Sequence, residues 1–216
     1  MGLRTVIAAI FVAGCTAGNQ PASQPSANSA APQAIVPVSQ AKHIVFLCNG
    51  SGSMAGPPEE VWRPILQRLV LGLGYETSFN VIFFQHVYDH KEESWFCALD
   101  DHLLSATDHN QTKAISFIQR HAVNDITIPL DAIDEAFRER PDQILLVTNS
   151  NFAEPNDEIV RERVAGLNRR HKVRLDILVL LDEMQEKKEQ SILEPLREIA
   201  RENDGACTPL YVYERR

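Results

Sequence analysis

The chain has 216 residues, 44% of them hydrophobic, which suffices for one sizeable core. Its formal net charge is −8, and setting Arg4 aside leaves about −9 on everything after residue 41, which argues against a nucleic-acid partner. The four cysteines, Cys15, Cys48, Cys97 and Cys207, include no CxxC pair, which excludes a zinc ribbon or a thioredoxin-type centre.

The chain opens on one basic residue, Arg4, followed by the apolar stretch 6–12 (Val-Ile-Ala-Ala-Ile-Phe-Val). That stretch is too short to cross about 30 Å of hydrocarbon and fits the core of a signal peptide. Val12-Ala13-Gly14-Cys15 resembles the bacterial lipobox. The resemblance implies a signal peptide over 1–14, acylation of Cys15, and attachment to a cell membrane on the extracytoplasmic side. Thr16, rather than Asp, after the cysteine favours the outer membrane. The other reading is an ordinary secretory signal with a chance cysteine. From Thr16 to Ala41 the chain holds four prolines and no charged or aromatic residue. Such a composition cannot bury enough apolar surface to offset ordering, so residues 15–41 read as a flexible tether and 42–216 as the folded domain.

From His43 onward apolar runs alternate with helical spacings. Residues 44–48 (Ile-Val-Phe-Leu-Cys) predict a strand buried on both faces, with Cys48 as a small core hydrophobe. Ile65, Leu66, Leu69, Val70 and Leu73 recur at helical spacing; Pro64 belongs in the first turn of that helix, or kinks it if the helix begins at Pro58. Residues 79–84 predict a second strand and 95–104 a short antiparallel edge strand. Ala114, Ile115, Ile118 and Ala122 predict one helix, and Leu130, Ile133, Ala136 and Phe137 the next. A buried strand follows at 144–148, then a helix with Val160, Val164 and Leu167 on one face, then a strand over 173–181. Ile192, Leu193, Leu196, Ile199 and Ala200 give a helix closed by Asn203-Asp204-Gly205. The last strand, 207–213, contains Pro209 and so belongs at an edge. The pattern is α/β: a doubly wound, mainly parallel sheet of about six strands, one of them an antiparallel edge, with helices on both faces.

Binding sites in such sheets form beyond the carboxyl ends of the strands. Three loops there stand out: Asn49-Gly50-Ser51-Gly52-Ser53-Met54, Asp125-Ile126-Thr127-Ile128-Pro129, and Thr148-Asn149-Ser150-Asn151-Phe152. In this order they resemble the metal-ion-dependent adhesion site of von Willebrand factor type A domains, and the likeness extends over nearly all of 42–213. The family places Asp-x-Ser-x-Ser after the first strand, Thr in a middle loop and Asp in a later turn. The matching positions are Asn49, Ser51, Ser53, Thr127 and Asn149. Residues 78–84 and 199–203 are also similar to secreted bacterial members, planctomycete ones among them. Both family aspartates are asparagines here, and Asn151 stands where many relatives carry another acid. The resemblance therefore implies a degenerate metal site that takes Mg²⁺ or Mn²⁺ weakly at most, with Asp125 as the nearest substitute carboxylate.

Sharper chemistry finds little support. A hydrolase elbow needs Gly two residues before and after its Ser, and neither Ser51 nor Ser53 is so flanked. His86, Asp89 and His90 would share a face only on a helix, yet they follow a strand and read as a solvated hairpin. Residues 183–190 read as a solvated helix start and Arg169-Arg170 as a surface helix end. The resemblance implies a binding or adhesion module rather than an enzyme. It would recognise a protein or surface ligand through Ser51, Ser53, Asp125, Thr127, Asn149 and Asn151. The competing reading is a structural or assembly subunit that uses helix or sheet-edge surfaces.

Overall fold

A computed structural model describes residues 7–9, 41–88, 93–123, 128–150, 152, 156–182, 185 and 188–213. Cys15, Asp125, Thr127 and Asn151 lie outside the described residues, as do most of the stretches read as signal and tether.

The strands are β1 (Ile7–Ala9), β2 (His43–Asn49), β3 (Ser78–Tyr88), β4 (Glu93–Ala98), β5 (Leu104–Ser105), β6 (Gln143–Thr148), β7 (Arg174–Asp182) and β8 (Cys207–Tyr213). The helices are α1 (Pro57–Leu71), α2 (Asp108–Arg120), α3 (Leu130–Arg138), α4 (Asp157–His171) and α5 (Glu189–Glu202). The described strands belong to one sheet in the order β1-β8-β7-β6-β2-β3-β4, with β5 also beside β3. The pairs β8·β7, β7·β6, β6·β2 and β2·β3 are parallel; β3·β4, β3·β5 and β1·β8 are antiparallel.

The doubly wound α/β expectation therefore holds, with more antiparallel additions than the single edge foreseen. The segment expected as one edge strand divides into β4 and the two-residue β5, because Asp100–His102 bends away between them. At the other edge Ile7–Ala9 lies antiparallel to residues 211–213 of β8. The amide of Ile177 donates to Ala206 O, so residues 206, 208, 210 and 212 turn their backbone groups toward β7. β8, with β1 beside it, is thus not the outermost strand, contrary to the expectation; Pro209, on the opposite parity, points its missing N–H away from β7 at a position below the 211–213 pairing with β1.

Two apolar layers sandwich the sheet. Ile44, Phe46 and Cys48 of β2 meet Trp62, Leu66 and Val70 of α1 and Ala114 and Ile118 of α2. Val45 and Leu47, pointing the other way, meet Ile133 and Phe137 of α3, Val160 and Val164 of α4, and Leu193 and Leu196 of α5. That is why residues 44–48 are apolar throughout. Cys48 is fully buried, and burial pushes its thiol pKa well above the usual range, so it behaves as a hydrophobe.

Three local expectations shift. Pro64 sits in mid-helix, since α1 begins at Pro57, and it lies on the exposed side where losing one N–H is tolerable. Ala122 is exposed and lies past the end of α2, which stops at Arg120 before its apolar period is complete. His86 lies within β3 itself, not in the turn; the connection to β4 covers 89–92, outside the described residues.

Candidate functional site

After β2 the chain crosses to β3 on one side, then returns to β6 on the other. The loops following β2 and β6 therefore flank the point where the winding reverses, the usual place for a binding crevice. The β2 loop is firmly held. Gly50 N donates to Phe84 O at 3.1 Å, and Trp62 Nε1 donates to Met54 O at 3.1 Å over the buried Met54 side chain. Gly56, at φ 71°, then makes the left-handed turn that starts α1.

Asn49 and Asn149 are both buried, and each spends its amide on the opposite loop or its own. Asn49 Oδ1 accepts from Ser51 N at 2.9 Å. Asn49 Nδ2 donates to Thr148 Oγ1 at 3.3 Å and to Asn149 Oδ1 at 3.4 Å. Asn149 Nδ2 donates back to Ser53 O at 2.9 Å, while Asn149 Oδ1 accepts from Ser53 Oγ at 3.2 Å. Ser51 Oγ and Ser53 Oγ are 2.8 Å apart. Four of the five motif positions thus come together, and the fifth, Thr127, lies outside the described residues.

This arrangement tests whether a divalent ion fits. A Mg²⁺ site wants oxygen ligands in an octahedron with carboxylates to balance charge. Here the described positions offer two amides and two hydroxyls, and the Nδ2 atoms carry partial positive charge into the contact between the loops. A direct amide-to-amide bond joins the loops where two carboxylates would need a cation between them. The described donor set does not match a tight divalent site. Neither serine hydroxyl has an imidazole or carboxylate among its hydrogen-bond partners in the described residues.

Three residues missed from the sequence complete the surroundings. Gln185, after β7, donates through Nε2 to Asn149 O at 2.8 Å and is itself clasped by Asp182. Among the described residues Gln85 Oε1 and His121 Nε2 are buried without a hydrogen-bond partner, and both face Gly50. A Cβ at Gly50 would stand 2.9 Å from the former and 3.1 Å from the latter, so a larger residue there would have to push the Gln85 amide aside. The His121 ring stacks on Phe83 at 3.7 Å. Burial first, and the neighbouring Arg63 guanidinium second, lower its pKa to about 4, so the ring is neutral near pH 7. Its position at the end of α2, before the 124–127 stretch, was the only available signal.

With the sheet order and loop geometry established, the structural relatives can be compared. A von Willebrand factor type A protein from Catenulispora acidiphila matches 78% of this chain and 38% of its own, at 15% identity and a TM-score of 0.59. The open-conformation pilus adhesin SpaC from Lactobacillus rhamnosus GG matches 81% of this chain and 28% of its own, at 13% identity and a TM-score of 0.59. The fold is of the von Willebrand factor type A kind. The likeness covers well under half of either relative, and at these identities it speaks for the type A fold alone. No protein-family model matches the sequence, and no curated protein matches it.

Proposed function

We propose that this chain is an extracytoplasmic binding module, anchored through acylated Cys15, whose type A loops recognise a protein or surface ligand without a metal bridge. The observation that carries the last clause is the direct pairing of Asn49 with Asn149 at 3.4 Å, which replaces the charged contact a bridging ion requires. The binding role draws support from the place of these loops at the switch point and from the adhesin among the structural neighbours. Exposed Ser53 and part-buried Ser51 present hydroxyls at the rim, backed by rigid, buried asparagines. Partners crosslinked to the full-length chain in its native membrane provide the test. Ser51→Ala with Ser53→Ala should lose them, whether or not EDTA is present. Crosslinks unchanged by these substitutions would point instead to a structural subunit working through helix or edge surfaces. Crosslinks lost on chelation alone would restore a metal bridge.

A further inference from the structure

The loop site occupies one pole of the sheet, and the pole where the strands begin has a different chemistry. β7, β6 and β2 are neighbours, and their starts are tied side by side: Asp142 N donates to His43 O, and Arg174 N donates to Asp142 O. Just before these starts stand Lys172, Arg140 and Lys42, and the last turn of α4 brings Arg169 and Arg170 to the same end. All five are exposed, and none has an acidic partner among the described residues. With strands about 4.8 Å apart, the three starts span roughly 10 Å.

Some of the acids at this pole are already engaged. Asp142 accepts from the Lys42 and His43 amides and the His43 ring. Asp176 is buried against Arg174, and Glu202 pairs with Arg161. Asp142, whose amide partners carry no charge, Glu76, exposed before β3 beside Lys42, Asp204, exposed before β8, and the half-buried Glu139 remain, fewer than the five cations. A cationic surplus gathers here on a chain whose net charge is −8.

Helix dipoles account for cations in the last turn of α4, but not for the whole set. Lys42 belongs to no helix. Arg140 and Lys172 both have φ of 53°, a conformation that favours glycine or asparagine. Long cationic side chains stand where the backbone by itself would select glycine.

We propose that this basic pole docks on the anionic lipid headgroups of the bilayer that holds the anchor, turning loops 49–54 and 148–150 outward. The inference rests on the anchored reading above. The chain that follows Cys15 in sequence enters the domain at this pole, through Ala41 and Lys42. Clusters of basic residues next to an anchor favour anionic lipid, each strengthening binding by about fivefold.

The test uses the full chain carrying Cys15→Ser, so that no acyl chain contributes, titrated with phosphatidylglycerol–phosphatidylcholine vesicles and with pure phosphatidylcholine vesicles. The apolar 6–12 segment acts equally in every variant and shows on the neutral vesicles. Binding should favour the anionic vesicles and be released by 0.5 M salt, in line with a Debye length of about 4 Å there. The combined change Arg169→Gln, Arg170→Gln and Lys172→Gln should weaken it by about a hundredfold. Lys42→Gln with Arg140→Gln, on separate loops, should weaken it by about twentyfold. Equal binding by all three proteins, or no preference for phosphatidylglycerol, overturns the proposal. So does loss of inorganic phosphate binding in the variants with vesicle binding unchanged, which would assign the face to a free anion. Mass spectrometry of Cys15 in the native chain addresses the anchor separately: an unmodified thiol refutes that reading, whereas the vesicle titration judges the face.

Discussion

Restoring the two aspartates should destabilise this protein until a divalent ion is added. In the double variant Asn49→Asp, Asn149→Asp, the contact now made by Asn49 Nδ2 and Asn149 Oδ1 at 3.4 Å would become a meeting of two carboxylates. Two like charges about 4 Å apart repel by about 4 kcal/mol at an effective dielectric of 20. The variant also loses the Asn149 Nδ2 donor to Ser53 O at 2.9 Å, worth about 1 kcal/mol. Uptake of a proton by one carboxyl relieves part of this, so a net cost of about 3 kcal/mol is reasonable near pH 7. For a domain of this size that lowers the melting temperature by about 6–12 °C in EDTA. If Ser51 and Ser53 hold their places, Mg²⁺ at a hundred times its Kd returns about 2.7 kcal/mol and most of the melting temperature. The wild type, lacking those charges, should move by less than about 1 °C under the same addition, since weak binding shifts stability little. Scanning calorimetry with and without Mg²⁺ decides it, and isothermal titration gives the affinities. A wild type that gains as much as the variant, or a variant no less stable than the wild type in EDTA, would show the charge reasoning to be wrong.

The remaining expectations are simpler. Burial raises the Glu139 pKa to about 7, with Asn80 Nδ2 bonded to one oxygen and the other oxygen buried without a partner among the described residues. Folding therefore holds that proton where the unfolded chain, at about 4.5, does not, and stability should fall as pH rises from about 4.5 to 7. His121, lowered to about 4, acts in the opposite sense, with stability rising from about pH 4 to 6.5. The two slopes oppose each other, so Glu139→Gln should uncover a melting temperature that climbs with pH across this window. It should also gain on the order of 1 kcal/mol at pH 8, after discounting for partial exposure; an unchanged profile by calorimetry would count against the buried-acid assignment. A Cβ at Gly205 would stand 1.8 Å from Leu175 O, so Gly205→Ala should cost about 3 kcal/mol or more, measurable by urea unfolding; a cost below 1 kcal/mol would mean that the β7–β8 contact yields easily. Cys15→Ser should leave the chain unprocessed or release it from the membrane fraction, and an unmodified cysteine in the mature wild type would remove the anchor.

How much of this could be read in the sequence depends on the range over which each feature is determined. The strands at 44–48 and 144–147 are apolar at every position because both faces of the sheet are covered, so they announce themselves locally. The edges do not: β1 and β5 are three and two residues long, below any usable period, and exist only through pairing with β8 and β3. Ala122 misled because apolar spacing continues past Arg120 while the backbone has already turned toward the next loop. In the site, the serines and asparagines were legible because their spacing within a loop is fixed by the turn that holds them. Gln85 and His121 carry no such local rule. They reach Gly50 from the end of β3 and the end of α2, positions made adjacent only by tertiary packing. The basic pole shows the same division. Arg169-Arg170 reads as an ordinary helix end on its own, and becomes part of a surface only once the order β7-β6-β2 sets it beside Arg140 and Lys42. Strand order, set by burial on both faces of the sheet rather than by any short motif, is what joins separate residues into sites at both poles.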